Sequence, residues 1–136
     1  MVEEIGKPTQ FATGEVDRSA ITFETAARSL DGWHEQEVDI SLDPRSVNFD
    51  VTTERVPRGV VLAIVPYNWP FNLAAHKIAP ALAVGCTVVM KVSPQAAYSG
   101  LTLARLIHES GVPPGVVNAW NGATPLIKKA LNHEKI

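Results

Sequence analysis

Hydrophobic residues follow three different patterns in succession along this chain. Over residues 11–30, Val16, Ala20, Phe23, Ala27 and Leu30 recur at spacings of four, three, four and three, which aligns them on one face of a helix. Gly32 supplies a stop. Over residues 37–58 the period drops to two: Val38, Ile40 and Leu42 alternate with polar residues, Asp43-Pro44-Arg45-Ser46 makes a turn, and Val47, Phe49 and Val51 alternate again. This predicts a β-hairpin with one wet face. A two-stranded ribbon is marginal by itself, so the hairpin is expected to lie against another body, such as a second subunit.

From residue 59 the pattern changes once more. Residues 59–65 form a continuous apolar run rich in β-branched side chains, the signature of a strand covered on both faces in a parallel sheet. Residues 71–84 read as a helix, 86–92 as a second buried strand, and 101–110 as a second helix closed by Gly111, with Pro113 and Pro114 beyond it. Residues 116–120 give a third strand and 125–131 the start of a third helix. Strand and helix alternating through short connections imply right-handed crossovers. The expected fold class is α/β: a partial doubly wound, Rossmann-like parallel sheet preceded by a helix and a β-hairpin. Three segments follow: a helical lead-in over 1–36, a hairpin over 37–58 expected to serve oligomerisation, and a partial dinucleotide-binding domain over 59–136.

Composition narrows the function classes. The 136 residues are 46% hydrophobic and 19% charged, enough for one soluble domain with a core. A net charge of −2, with no local cluster of Lys and Arg, argues against nucleic acid as a partner. Apolar runs such as 59–66 and 78–84 fall far short of the roughly 20 residues that span a membrane. Met1 is followed by Val-Glu-Glu and not by a basic leader, so no membrane partner and a cytoplasmic location are expected. The one cysteine, Cys86, cannot form an internal disulfide, and its neighbours Val84, Val88 and Val89 predict burial as an inert thiol. His34, His76, His108 and His133 show no metal-ligand spacing with one another or with Cys86, so no metal site is expected.

Candidate chemistry sits at the strand ends. Open parallel sheets bind ligands beyond the carboxyl ends of their strands. Asn68 follows the first strand, Lys91 ends the second, and the third leads to Asn121-Gly122-Ala123, where a glycine permits close approach of a ligand. The P-loop and the GxGxxG fingerprint are both absent, because the first strand runs into Pro66-Tyr-Asn-Trp-Pro70. A nucleotide would therefore be held by side chains such as Lys91 and by a later helix end. The bland readings are a turn-capping Asn68 ahead of Pro70, a solvated strand end for Lys91, and a Lys77 that snorkels to solvent.

The blocks RVPRGVVLAIVPYNWPFNLAAHKIAPALAVGCTVVMKVSP and ESGVPPGVVNAWNG, with GKP at residues 6–8 and GEVDR at residues 14–18, resemble the aldehyde dehydrogenase superfamily. Its pattern runs approximately P-x-G-V-V, P-W-N-F-P, K-x-x-P-A-L-x-x-G-N, V-x-K-P-S-E and E-A-G-x-P-x-G-V-x-N-x-x-x-G. The resemblance runs from about residue 4 to the end of the chain. It implies an enzyme that oxidises an aldehyde to a carboxylic acid with NAD or NADP, and homo-oligomers formed through the hairpin. It implies that Asn68 donates its side-chain amide to the oxyanion and that Lys91 binds the adenosine ribose, with Ser93 beside it in the cofactor set. Ile64, Val65, Pro66 and Tyr67 would line the nicotinamide side of the cleft. Gly122 would lie close to the adenine, and Lys77 near the active-site proton path.

Three positions depart from the pattern. Lys91-Val-Ser-Pro94 stands where the family has Lys-Pro-Ser-Glu. The carboxylate that would accept both ribose hydroxyls is therefore absent, and so is its repulsion of a 2′-phosphate, which makes NADP use credible. Tyr67 replaces a tryptophan, and Cys86 stands where asparagine follows glycine. Cys86 is not the family's nucleophile, which the resemblance locates, with the glutamate general base, beyond these residues. The chain is expected to be inactive alone. The alternatives are a non-catalytic nucleotide-binding or assembly module and a truncated gene product.

Overall fold

The computed structural model describes residues 1–136, with every side chain except that of Thr124. Helix α1 (Val2–Ile5) is one turn ended by Gly6 at φ 67°, a left-handed conformation that glycine adopts without steric penalty. Helix α2 (Thr9–Arg28) follows Pro8 and closes in a 3-10 turn at Ser29–Gly32. Its length agrees with the predicted helix, but its buried face does not. Ala12, Glu15 and Ser19 are buried, whereas Val16 and Leu30 of the predicted face are 43% and 38% exposed. The reason is packing by small and polar groups: α2 lies against α3 (Asn72–Ala83), whose Ala74, Ala75 and Ala79 are buried. Val16, Ala20 and Phe23 instead line an open apolar groove of about 370 Å³ shared with Leu103, Leu106 and Ile107.

The hairpin forms in a shorter version than the alternation predicts. β1 (Gln36–Glu37) and β2 (Thr52–Thr53) pair antiparallel, Gln36 with Thr53 and Glu37 with Thr52. The Val38 N–H extends the ladder to the Val51 C=O at 2.8 Å. Beyond that point the predicted strands give way to local turns, because side chains take the backbone donors first. Asp39 accepts from the Ser41 N–H and Asp43 from the Arg45 N–H, both at 2.9 Å, and Pro44–Ser46 is a 3-10 turn. Leu42, Val47 and Phe49 are 97%, 82% and 67% exposed. No element among the described residues covers them.

The sheet matches the predicted class. β3 (Val60–Ile64), β4 (Thr87–Lys91) and β5 (Val117–Trp120) run parallel in sequential order. Helix α3 and α4 (Ala97–Glu109) make the crossovers, and α5 (Thr124–Leu131) follows β5. Helix α4 starts ahead of the predicted residue 101 because a 3-10 turn at Pro94–Ala96 leads into it. Strand order does not reverse among the described residues.

Register decides which side chains face the core. Val61, Val88 and Val117 share one row, and Ala63, Met90 and Ala119 the next. Together with Val65 and Val92 they meet Ala74 and Ile78 of α3 and Leu103 and Ile107 of α4. Ile78, Val88, Met90 and Val92 are each 0% exposed, and a fully buried side chain of this size contributes about 1.5–3 kcal/mol. The apolar runs predict cover on both faces, but the structure covers one. Leu62, Val89 and Trp120 on the other face are half-buried and Ile64 is exposed. No helix among the described residues is long and apolar enough to cross a membrane.

Candidate functional site

The open face ends in a row of three residues, Ile64, Lys91 and Trp120, which are register partners on adjacent strands. The strand ends are tied by Val65 N–H to Lys91 C=O at 3.0 Å and Val92 N–H to Trp120 C=O at 3.1 Å. Lys91 is only 7% exposed, so its aliphatic stem is covered by its neighbours. Among the described residues its ammonium has no hydrogen-bond or ion-pair partner. Asn72 Oδ1 is the only fully buried side-chain polar atom without a partner among the described residues, so the Lys91 ammonium, at the tip of a covered stem, reaches the surface of the open face.

Past Ile64, the chain turns through Pro66 and Pro70 into α3, and this turn is fastened from the other end of the sequence. Glu15 of α2 is 0% exposed. Its Oε1 accepts from the Phe71 N–H at 2.8 Å and the Asn72 N–H at 3.1 Å, donors that open α3, and its Oε2 pairs with the Lys7 ammonium. Lys7 also donates to the Asn68 C=O at 2.9 Å and lies 3.7 Å above the Trp69 ring. The Asn68 side chain is exposed and has no hydrogen bond among the described residues. Asn72, beside Glu15, is 5% exposed with its Oδ1 unpartnered.

The remaining predicted site residues are divided. Pro66 is half-buried and Tyr67 is 50% exposed at the rim. Val65 is turned away: the alternation of β3 continues through it, and its side chain is 3% exposed in the core on the helix side. Lys77 is exposed on α3. Ser93 is 9% exposed and caps the 3-10 turn, accepting from the Gln95 N–H at 3.4 Å. Gly122 has a packing role of its own, since a Cβ there would come within 2.6 Å of Trp120 Cζ3 and 3.2 Å of Leu126 Cδ1.

Two features at the start of α4 had no signal in the hydrophobic pattern. A Cβ at Gly100 would lie 2.6 Å from Val92 Cγ1, so the missing side chain lets α4 close onto β4. Glu4, from α1, accepts from the Tyr98 N–H at 2.6 Å and the Ser99 N–H at 3.0 Å, and from the Ser99 hydroxyl. Burial pushes the Glu4 carboxyl up; the Ser99 hydroxyl, the Ser99 and Tyr98 amides and the N-terminal ammonium outweigh it and hold it below its ordinary value. Lys7 and Glu15 lie in the GKP and GEVDR blocks that carry the family resemblance, but nothing in those blocks marked them as partners of the turn after β3, and Glu4 showed only as an acid early in the chain, which is the commonest kind of surface residue.

A family model described as "Aldehyde dehydrogenase family" matches residues 1–136. The chain is 38% identical over 122 residues to a 3-sulfolactaldehyde dehydrogenase of Priestia aryabhattai, covering 90% of this chain and 26% of that protein. It is 42% identical over 138 residues to an NADP-dependent glyceraldehyde-3-phosphate dehydrogenase of Streptococcus equinus, covering 98% of this chain and 29% of that one. Among solved structures, an NADP-dependent glyceraldehyde-3-phosphate dehydrogenase from Bacillus halodurans, complexed with NADP, superposes with a TM-score of 0.92 at 35% identity. That match covers 99% of this chain and 29% of the solved one. The chain thus spans between a quarter and a third of the length of these relatives.

Proposed function

The chain belongs to the aldehyde dehydrogenase family, and on that premise we propose that it is the part of an aldehyde-oxidising subunit that holds NAD(P) on the open face of the sheet and presents Asn68 to the reacting oxygen. The observation that carries this reading is Lys91, whose stem is packed at a strand end while its ammonium has no protein partner among the described residues. Ribose hydroxyls or phosphate oxygens would supply the missing acceptors. Ile64 beside it, with Pro66 and Tyr67, offers apolar surface to the nicotinamide side, while Val65 contributes only its backbone. Ser93 and Gly122 complete the cofactor set. Pro94 leaves no carboxylate to repel a 2′-phosphate, so NADP is the expected partner, in accord with the NADP-dependent relatives.

NAD(P) held there by Lys91 and its neighbours would supply a hydride acceptor for the aldehyde carbon. The chain's own residues bind and stabilise charge. When a nucleophile adds to the aldehyde, the carbonyl oxygen gains negative charge, and the Nδ2–H donors of Asn68 stabilise it without ionising. Lys77, on the exposed side of α3, stands near the route by which a proton reaches solvent. The nucleophile is not Cys86, which is 3% exposed in the core. Nucleophile and general base come from outside these residues, so this chain alone does not turn over. A cytoplasmic, homo-oligomeric setting belongs to the same reading.

Calorimetric titration of the chain with NADP and with NAD tests it. NADP is expected to bind, and Lys91→Ala to weaken binding about tenfold or more while circular dichroism stays unchanged. No binding by the unsubstituted chain sinks the proposal. A second reading, assembly through the hairpin, is favoured by the exposure of Leu42, Val47 and Phe49; concentration-dependent sedimentation without nucleotide binding supports it.

A further inference from the structure

We infer that Lys7 and Glu15 are positioning residues for Asn68: a two-residue clamp that fixes the turn between β3 and α3, so that the Asn68 amide is aimed before any ligand arrives. The inference rests on the reading of Asn68 as the oxyanion donor. Its observations are separate from those that support the cofactor site.

The clamp reaches four of five consecutive residues. Lys7 takes the Asn68 carbonyl at 2.9 Å and covers the Trp69 ring at 3.7 Å. Glu15 takes the Phe71 and Asn72 amides at 2.8 and 3.1 Å. The residue between them, Pro70, is buried and has a fixed φ. The two side chains are themselves joined by an ion pair, with Lys7 10% and Glu15 0% exposed. A largely buried pair in which each charge has several partners holds one geometry firmly, because shifting the turn weakens several of these contacts at once. The backbone of residue 68 is thus held through its carbonyl, while its side-chain amide has no hydrogen bond among the described residues. A held backbone fixes where the Asn68 side chain starts, and its unspent donor is free for a reacting oxygen, the two parts of charge stabilisation that this turn can supply.

The ends of the clamp lie far apart in sequence, so it forms only when α2 docks on α3. Lys7 to Asn68 spans 61 residues and Glu15 to Phe71 spans 56. Correct docking of α2 and a correctly aimed Asn68 are then one event.

Nuclear magnetic resonance on the nucleotide-free 136-residue chain tests the clamp, with Lys7→Met, Lys7→Arg and Glu15→Gln as variants. In Lys7→Met the backbone order parameters at residues 67–69 are expected to fall from about 0.85 to below about 0.6. Hydrogen exchange of the Phe71 and Asn72 amides is expected to speed up by about tenfold. The amides of Val88 and Met90 in the core strand stay protected. Lys7→Arg keeps a donor for the Asn68 carbonyl and a cation over Trp69, and is expected to restore the turn; a purely structural loss would show no such rescue. Should Lys7→Met fail to fold, Glu15→Gln, which keeps shape and one acceptor, is read in the same way. Unchanged order at residues 67–69, loosening spread evenly through β4, or unfolding of both Lys7→Met and Glu15→Gln overturns the inference. Because nothing is bound in this experiment, a failed NADP titration leaves its outcome untouched, and the reverse holds too.

Discussion

Helices α3 and α4 cover the same face of the same sheet, and each begins against a glutamate from the N-terminal segment, yet different forces hold them. At α3 the holding force is charge. Glu15 is fully buried, saturated by two backbone amides and the Lys7 ammonium. At α4 the holding force is fit. Gly100 lets the helix approach Val92 to a distance that no side chain would permit, and Glu4 adds hydrogen bonds near the surface. The difference follows from what loss would cost. Removing one member of a buried ionic set strands its partners, whereas a surface cap can be replaced by water. The firmer of the two starts is the one that carries Asn68.

Removing the carboxylate from the buried set is the harshest way to break this comparison. Glu15→Ala leaves the buried Phe71 and Asn72 amides without their acceptor and takes the carboxylate from the Lys7 ammonium, which keeps the Asn68 C=O, and is expected to cost about 3 kcal/mol. The check is the midpoint of urea unfolding, with the slope unchanged. A cost under about 1 kcal/mol would mean that water reaches the site and that α3 is held by packing like its neighbour.

The steric half is tested at Gly100. Gly100→Ala forces a methyl into Val92 and is expected to cost about 2 kcal/mol, in the range seen for overpacked cores. Val92→Ala in the same chain makes room, so the double variant should cost clearly less than the sum of the two singles. Strict additivity in unfolding measurements would show that α4 does not depend on that contact.

The same contrast explains how much could be read from sequence. The order of β3, α3, β4, α4 and β5 was legible, because period and β-branched runs act over short windows. Asn68 and Lys91 were legible as strand-end residues that break an apolar pattern. The buried face of α2 was not: Glu15 and Ser19 count as polar in any periodicity, and only the amides of residues 71 and 72 turn Glu15 inward. The hairpin was legible, but its length was not, for the opposite reason. Its alternation is real over Val38–Leu42 and Val47–Val51, but Asp39 and Asp43 divert the backbone donors and nothing among the described residues buries the apolar side. The direction of the Val65 side chain was not legible either, because a family position does not say which way a strand residue points, and alternation turns it into the core. Contacts between residues 50 or more apart leave no trace in a window of fifteen.

The smallest expected effect belongs to Glu4, and its sign can be worked out. The folded state holds the Glu4 carboxyl below its ordinary value, against the opposing push of burial, through the Ser99 hydroxyl and the amides of Ser99 and Tyr98. The charged form is therefore the one the fold favours. Its contribution is present above the ordinary carboxylate range and is lost as pH falls through Glu4's lower value. At neutral pH Glu4→Gln is expected to cost about 1 kcal/mol, the typical weight of a helix cap. The gap between the two proteins in urea unfolding should close on acidification, because protonated glutamate and glutamine offer the α4 amides much the same neutral acceptor. A gap that stays constant down to acid pH would mean that Glu4 acts through shape alone, and would leave fit as the only force at the start of α4.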